Sequence, residues 1–396
     1  FTVQPKDGFL GGNDVITNGE KSGIYVNDQA TNPLKPFEQP TVNVPIKDVT
    51  VTAANENVYL LGSVTADQLK NDATVEVGGV TLDLSKATDT NKPYGLDPWQ
   101  TEYVDITVTV KDKDGKVISD KLDNLTDDTT YTVEVTVAPK TVGTSTAEKG
   151  DAATAKTSVN NPAANIYVFK PELTFKDSTA YYGDAAPTDF TGNKVGTEKW
   201  MHDGTEAVPG KMLGEKPTLD ISYAPEANKI DDAGKINTKQ DIEVSAKVEI
   251  NGADVTNKTT FVHQDCNPVC GWNVTTPNGN PAFLIHVKTC QLTITKQGGD
   301  AGEPYVFTVK KDGQPYTEVT IVGNNNVTIY ELPVGTYTIE ENTGWSWRYS
   351  ANNGGSAALT AQNPIGAITC TNTLKNNYWL NGFSDVVTNT FDVKHK

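Results

Sequence analysis

The sequence predicts an all-β protein, built from tandem β-sandwich domains arranged as an elongated stalk. Short segments rich in Val, Ile, Thr and Tyr alternate between apolar and polar residues, which is the pattern of half-buried strands. Gly, Pro, Asn and Asp separate these segments at short intervals, as expected for strands joined by tight turns. Helical periodicity is almost absent, and its one short candidate is TADQLKND at 65–72.

The composition of the 396-residue chain favours an extracellular or cell-surface structural protein. The hydrophobic content is 36% and the mean hydropathy is −0.44, and no apolar run is long enough to insert into a membrane. The net charge of −17 argues against nucleic acid or an anionic membrane as a partner. The sequence contains no glycine-rich phosphate loop, no GxSxG and no HExxH, so we expect no enzyme, no cofactor and no metal.

Linker and turn signals divide the chain into six segments. They are an irregular N-terminal arm (1–40), two β-sandwich domains (41–165 and 166–265), a cysteine-containing linker (266–289), a third β-domain (290–376) and a C-terminal tail (377–396). Many short strands with frequent turns suggest sandwiches of the immunoglobulin type. The stretch 181–216 is rich in Gly, Pro and charge, so we expect a long loop there.

Three polar side chains continue apolar rows in the third domain. LTITK ends in Lys296, YTIEE ends in Glu341, and AITCTNT carries Asn372 two residues after a cysteine. Because strand residues alternate between two faces, each of these side chains is predicted to point into a core. Lysine and glutamate are rarely buried unless they are paired, so three exceptions in one small domain indicate a shared site.

The chemistry that suits these three groups is an isopeptide bond between the lysine and the asparagine. Burial disfavours the charged form of an ionisable group, which favours a neutral amine and raises the pKa of a buried glutamate such as Glu341. A neutral amine is a nucleophile, and a protonated carboxyl can donate to the asparagine carbonyl and shuttle protons as ammonia leaves. The bond forms once in each chain, so it is maturation rather than turnover.

The same three strands resemble the Cna-B (prealbumin-like) domains of Gram-positive surface proteins and pilins. The resemblance rests on LTITK, ELPVGTYTIEE and ITCTNT and covers about a quarter of the chain. It implies a bond from Lys296 to Asn372 assisted by Glu341, in a Tyr-x-Leu-x-Glu motif where this chain has Ile339. The ETxAPxGY continuation of the family motif is absent, and ENTGWSW stands in its place.

A second isopeptide triad is a hypothesis for the first domain. Lys47 lies near the start of its first strand, Asn165 lies at its end, and Glu102 heads the apolar row of a strand between them. A first strand, a last strand and a carboxylate are the arrangement that the bond requires. The alternative is that all three are surface residues at strand ends, because the rows around Lys47 are apolar on both faces.

Two further residues are candidates for links between subunits. Lys170 follows IYVF, and this stretch is similar to the V-x-V-Y-P-K motif whose lysine sortase joins in pilins, although lysine and proline are exchanged. In the tail, DVVTNTF repeats the pattern of AITCTNT and places Asn389 where Asn372 stands. An orphan strand of this kind suits addition to a neighbouring subunit's sheet edge, with or without a covalent bond. The alternatives are an ordinary interdomain strand and a tail that packs on its own domain or is disordered.

Four cysteines allow up to two disulfides in an extracellular protein. We predict one bridge between Cys290 and Cys370, on the first and last strands of the third domain, and another between Cys266 and Cys270. An oxidising location favours disulfides over metal binding. The alternative is a zinc site with metal-like spacings, formed by His263, Cys266, Cys270, His286 and Cys290.

These features together predict a structural subunit of an extracellular pilus or surface stalk, whose partners are copies of itself in a filament. The alternative function is an adhesin that binds host glycan or matrix. Such an adhesin could use the aromatic row of Trp345, Trp347 and Tyr349, or the stretch 181–216. A structural role for the aromatic row is the simpler interpretation.

Overall fold

The structure is a computed structural model, and it describes residues 5–17, 23–24, 35–36, 41–140, 154–264, 282–344, 346 and 348–375. Strands make up 52% of the structure, and the described residues contain one α-helix, of six residues. The prediction of an all-β fold with several sheets is confirmed. Within the described ranges, no helix is long and apolar enough to cross a membrane.

The described elements up to residue 175 are short strands and the helix α1. In chain order they are β1 (Asn13–Thr17), β2 (Gly23–Ile24), β3 (Lys35–Pro36), β4 (Thr41–Val44), β5 (Val49–Thr52), β6 (Glu56–Tyr59), β7 (Val64–Thr65), α1 (Ala66–Asn71), β8 (Thr74–Val77), β9 (Val80–Leu82), β10 (Val104–Asp112), β11 (Lys121–Leu122), β12 (Thr129–Pro139), β13 (Lys156–Thr157) and β14 (Ala164–Phe175).

The described elements after residue 175 are also strands. They are β15 (Ser178–Tyr181), β16 (Lys194–His202), β17 (Thr205–Glu206), β18 (Asp220–Pro225), β19 (Ile242–Ile250), β20 (Ala253–Asp254), β21 (Thr260–His263), β22 (Phe283–Lys288), β23 (Cys290–Gln297), β24 (Pro304–Lys311), β25 (Gln314–Val322), β26 (Asn326–Leu332), β27 (Gly335–Glu341), β28 (Tyr349–Asn352), β29 (Ser356–Leu359) and β30 (Ile365–Leu374). Short 3₁₀ helices lie at Leu84–Lys86, Pro93–Gly95, Pro98–Gln100, Thr191–Asn193, Ala227–Lys229 and Thr256–Lys258.

The chain divides into two compact units. The first comprises the described residues of Phe1–Glu172 and Glu198–Leu219, and the second comprises those of Leu173–Thr197 and Asp220–Lys396. The finer division into three sandwich domains, drawn from the linker signals, stays a prediction.

The core of the first unit is formed by strands that alternate between buried and less buried residues. In β12, Tyr131 and every second residue up to Val137 are fully buried, and β12 pairs antiparallel with β10. A three-stranded sheet of β5, β8 and β9 shows the same alternation. The helix α1 begins at a capping box between Thr65 and Gln68, and its Leu69 is fully buried.

Two segments that were predicted to be irregular contain strands. In the N-terminal arm, β1 pairs antiparallel with β4. In the stretch 181–216, β16 spans nine residues, and Trp200 is the one buried residue of this strand. A strand without an apolar row gives no period-two signal, so the sequence pattern could not reveal β16.

The second unit contains a five-stranded sheet and a sandwich of two four-stranded sheets. The five-stranded sheet has the order β15-β22-β19-β18, with β20 paired to β19. β19 buries every second residue from Ile242 to Ile250, as its period-two sequence predicts. The rings of Phe175, Phe190, Tyr223 and Phe283 pack with centroids between 5.7 and 6.2 Å apart.

The sandwich is formed by residues 290–374. One sheet has the strand order β26-β23-β30-β28 and the other has the order β25-β24-β27-β29. Side chains from both sheets form its core, including Leu292, Ile294, Phe307 and Tyr337. The first strand β23 and the last strand β30 are parallel neighbours, with Gln291 opposite Ile365 at one end and Gln297 opposite Thr371 at the other. The ends of these two strands therefore lie side by side.

Candidate functional site

Lys296, Glu341 and Asn372 lie together in the core of the sandwich. Lys296 and Asn372 project from β23 and β30 in one sheet, and Glu341 projects from β27 in the other. Their exposed fractions are 1%, 4% and 5%. The local sequence accounts for these positions, because each residue follows buried residues at two-residue intervals along its strand.

The carboxylate of Glu341 bridges the lysine amine and the asparagine amide. Its Oε2 lies 3.5 Å from Nζ of Lys296, and its Oε1 accepts a hydrogen bond of 3.0 Å from Nδ2 of Asn372. Nζ of Lys296 also donates to the carbonyl of Gln297 at 3.0 Å and lies 4.6 Å from the ring centroid of Tyr305. One carboxylate oxygen therefore faces the nucleophile of the predicted bond, and the other faces its leaving group.

Two more donors reach this carboxylate, and neither is evident from the sequence. The hydroxyl of Ser346 donates to Oε1 of Glu341, and the thiol of Cys370 donates to Oε2 at 3.3 Å. Ser346 lies between β27 and β28, where no strand period indicates which way a side chain points. Cys370 has the inward parity of its strand, but it reaches the carboxylate only because the parallel register places it opposite Lys296.

Hydrogen bonds hold Glu341 in its ionised form. Burial raises the pKa of Glu341, but the donors Asn372, Ser346 and Cys370, with the charge of Lys296, together lower the pKa below its ordinary value. The raised pKa expected from burial alone is therefore wrong, because the sequence did not reveal the donors. Burial is the main cause that raises the pKa of the Cys370 thiol to about 12, so the thiol keeps its proton and remains a donor.

Gly298 allows the end of β30 to approach the end of β23 closely. This glycine follows Lys296 by two residues and has a φ of +68°. A Cβ at this position would lie 2.1 Å from the carbonyl oxygen of Asn372. Any other residue would therefore push the asparagine away from the lysine, in addition to the strain of a positive φ.

The predicted disulfide between Cys290 and Cys370 is wrong, because both cysteines are free and buried. The parallel register places Cys370 opposite Lys296, six residues along β23 from Cys290. Six residues of a strand span about 20 Å, whereas a disulfide requires Cα atoms within about 7 Å of each other. The shared inward face was predicted correctly for these two strands, but their register was not.

The two histidines of the zinc alternative make hydrogen bonds to carboxylates. Nε2 of His263 lies 2.7 Å from Asp177, and Nε2 of His286 lies 3.0 Å from the same carboxylate. Nδ1 of His286 lies 2.8 Å from Asp241. These contacts raise the pKa of His286, chiefly through the hydrogen bond with Asp241.

The structure does not bring Lys47, Asn165 and Glu102 together. Asn165 pairs with Thr130, near the beginning of β12. Glu102 lies just before β10, and the first residue of β10 pairs with the last residue of β12. Along the strand these positions are about 30 Å apart. Glu102 is exposed, and the amide of Asn165 donates to Tyr167 at 3.1 Å. These residues therefore form no triad in the described structure.

The remaining predicted residues are partly described. Lys170 lies in β14, and its amine contacts Asp127 at 3.0 Å with a side chain that is 36% exposed. Its role as a link between subunits stays a prediction. Tyr349 is buried, and its ring centroid lies 6.4 Å from that of Tyr305. This side chain therefore belongs to the packing of the sandwich. Other predicted residues lie outside the described ranges, namely Cys266, Cys270, Trp345, Trp347 and Asn389.

No protein-family model and no curated protein matches the chain. Among solved structures, the chain is similar to the Bacillus anthracis TIE protein, with 12% identity, coverage of 84% of this chain and 59% of that one, and a TM-score of 0.26. It is similar to BcpA, the major pilin subunit of Bacillus cereus, with 10% identity, coverage of 83% and 100%, and a TM-score of 0.24. It is also similar to the group B streptococcus pilus 2b backbone protein, with 12% identity, coverage of 84% and 99%, and a TM-score of 0.22. TM-scores this low do not establish a shared fold or function.

Proposed function

We propose that this chain is a structural subunit of an extracellular pilus or surface stalk, with a sandwich closed by an isopeptide bond between Lys296 and Asn372. The observation that carries the proposal is the buried Glu341, whose two oxygens face the lysine amine and the asparagine amide. Under this proposal the sandwich is a Cna-B-type domain of a Gram-positive surface protein, and the partners are copies of the same chain in a filament.

Bond formation begins with a proton transfer inside the ion pair. Nζ of Lys296 gives a proton to Oε2 of Glu341, which leaves a neutral amine and a protonated carboxyl. Nζ then attacks Cγ of Asn372, and a tetrahedral carbon forms. Glu341 hands its proton to Nδ2 and accepts another from Nζ, so the Cγ–Nδ2 bond breaks and ammonia leaves. The product is a secondary amide between two side chains, and the chain becomes lighter by one ammonia.

The surroundings favour this reaction over simple ion pairing. All three side chains are almost completely excluded from solvent, so no water competes for the tetrahedral carbon. Neighbouring strands hold the amine and the amide in place, which removes the entropic cost of bringing two reactants together. The same carboxyl reaches both the amine and the leaving nitrogen, so the reaction needs no cofactor.

A covalent link at this position suits a protein that bears tension. It joins the first strand of the sandwich to the last, so neither strand can be pulled off while the link holds. A disulfide could perform the same task, but Cys290 and Cys370 are too far apart along the strands to form one. Of the aromatic row named for the adhesin alternative, Tyr349 is buried, so its ring does not form a binding surface.

The first test is the intact mass of the reduced 396-residue chain. We expect the wild type to be lighter than its sequence by one ammonia, and Lys296→Met and Asn372→Ala to have their sequence masses. The matched control is Glu340→Gln, because Glu340 neighbours the site residue in β27 but pairs with Lys310 on the surface. The control should keep the loss. A wild-type mass equal to the sequence would refute the bond.

The second test concerns the filament. Antibodies raised against the chain should label thin fibres that project from the producing cells in immunogold electron microscopy. Labelling confined to the medium or to the cell wall itself, without fibres, would contradict the pilus and leave a surface stalk or a secreted protein.

A further inference from the structure

Two side chains hold the carboxylate of Glu341, although the reaction described above exchanges no atom with them. The hydroxyl of Ser346 donates to Oε1, and the thiol of Cys370 donates to Oε2. Ser346 is 6% exposed and Cys370 is fully buried. Since Oε1 faces the amide of Asn372 and Oε2 faces the amine of Lys296, each working oxygen of the carboxyl has its own additional donor.

We propose that Ser346 and Cys370 are positioning residues that fix the rotation of the Glu341 carboxyl. They also set the acid limit of isopeptide formation, which is the pH below which the rate of bond formation falls. This inference rests on the proposed function. Both residues act through Glu341. The bond that forms joins Nζ of Lys296 to Cγ of Asn372, and the bond that breaks is the Cγ–Nδ2 bond of Asn372.

The positioning argument follows from the torsions of glutamate. The terminal torsion of a glutamate side chain has broad minima, so packing alone does not fix the plane of its carboxyl. Here the two donors come from different elements, Cys370 from β30 and Ser346 from the segment between β27 and β28. Two donors on opposite oxygens hold the plane so that Oε2 stays at Lys296 and Oε1 stays at Asn372.

The acid limit follows from counting protons. The neutral pair of amine and carboxylic acid contains as many protons as the ion pair, so forming it takes no proton from the solvent. At acidic pH Glu341 takes its proton from the solvent instead, so no carboxylate remains to accept one from Lys296, and a charged amine cannot attack. Donors to the carboxylate favour its charged form, so they move the protonation of Glu341 to more acidic pH.

Among the described residues, three titratable groups face the carboxyl. They are Lys296 from β23, Tyr305 from β24 and Cys370 from β30. Burial raises the pKa of both the phenol and the thiol, so both stay neutral at acidic pH. Glu340, the sequence neighbour in β27, is exposed and pairs with Lys310. The acid limit therefore reports on the Lys296–Glu341 pair and its donors.

The experiment follows ammonia loss during refolding. The 396-residue chain is purified from inclusion bodies in denaturant with a reductant, diluted into buffers of different pH, and quenched at set times for intact-mass measurement. The variants are Cys370→Ala and Ser346→Ala, with the conservative Cys370→Ser and Ser346→Thr. The matched control is Cys290→Ala, a buried cysteine of the same sandwich that makes no contact with the carboxylate in the described structure.

We expect each site alanine variant to move the acid limit of the rate up by about one pH unit, because each loses one hydrogen bond to a charged group. Cys370→Ser and Ser346→Thr keep a donor, so their limit should stay close to that of the wild type. Cys290→Ala should not move it. Circular dichroism of each refolded variant checks folding, and the two positions give independent readings if one variant fails to fold.

Two results would overturn the inference. One is an equal loss of rate at every pH with an unmoved acid limit, which a merely structural role would produce. The other is a Cys370→Ser variant that behaves like Cys370→Ala, since the donor would then be irrelevant. A wild-type chain that loses no ammonia at any pH overturns the proposed bond itself, so the two failures are distinguishable.

Discussion

Replacing Asn372 with alanine removes the carbon that the proposed bond requires and leaves the ion pair of Lys296 and Glu341 in place. The bond closes a loop of roughly 75 residues, and restricting such a loop in the unfolded chain contributes about 4.5 kcal/mol, by analogy with a disulfide. In the bonded wild type, Nδ2 of Asn372 has already left as ammonia, so its 3.0 Å hydrogen bond to Glu341 does not add to this difference. We therefore expect Asn372→Ala to lower the free energy of unfolding of the sandwich by about 4.5 kcal/mol, the contribution of the lost loop closure.

The assay is calorimetry and guanidinium unfolding of the full chain with reductant present. For a domain of this size, the expected loss corresponds to a decrease of about 20 °C or more in the Tm of the transition that belongs to the sandwich. The matched control is Asn353→Ala. Its Oδ1 accepts a 3.1 Å hydrogen bond from the backbone nitrogen of Glu341, so its removal should cost about 1 kcal/mol and leave the bond intact.

The size of the loss decides between a cross-linked core and one that is only ion-paired. Without the bond, Asn372→Ala removes only a hydrogen bond, so the loss should be about 3 kcal/mol or less. A loss of that size, together with a wild-type mass equal to the sequence, would refute the reasoning. The ion pair cannot explain a larger loss, because the variant keeps both of its members.

Two other predictions concern backbone approach and pH. Gly298→Ala should slow ammonia loss and destabilise the sandwich by about 2–3 kcal/mol, because its Cβ would lie 2.1 Å from the carbonyl oxygen of Asn372. Timed mass measurements and calorimetry test this prediction. Gly302→Ala controls for the strain of a positive φ, because its Cβ would have no neighbour within 4 Å. In the first unit, Glu56 is buried beside Asp72, and burial is the main cause that raises its pKa to about 7. Because the pKa of Glu56 in the folded state exceeds the ordinary value of 4.5, the unit should be most stable below pH 4.5. Its free energy of unfolding should fall by up to about 3 kcal/mol as the pH rises through 7. Calorimetry between pH 4.5 and about pH 8 should show that Glu56→Gln abolishes this fall. The control Glu76→Gln changes an exposed glutamate and should keep the fall. A pH-independent difference between wild type and Glu56→Gln would contradict the assignment.

The three residues of the candidate site could be identified from the sequence because each lies in a regular strand. The residues two and four positions before Lys296 are Ile294 and Leu292, which have no exposed surface. A period of two fixes the face of the sheet without any knowledge of tertiary structure. The same rule placed Glu341 and Asn372 correctly on inward faces.

The period of two shows on which face of a sheet a residue lies, but it does not show which residue of the neighbouring strand lies opposite. Cys290 and Cys370 share an inward face, yet the register between β23 and β30 separates them by six residues along the strand. Register depends on how all eight strands of the sandwich pack together, so it is not encoded in the local sequence of either strand. For the same reason, Asn165 and Glu102 could be assigned to strands of one domain while lying at opposite ends of β12.

The parallel arrangement of β23 and β30 determines how the proposed bond would carry load. If the chain is pulled from its two ends, tension enters the sandwich at Cys290 and leaves at Leu374, and these residues lie at opposite ends of the paired strands. Without the bond, such tension shears the hydrogen-bond ladder between the two strands. With it, a covalent path runs along β23 to Lys296, crosses to Asn372 and leaves through the last residues of β30. The segment between the two linked residues, which includes most of the sandwich core, then bears no load, so the stability of the fold no longer limits the strength of a shaft built from it.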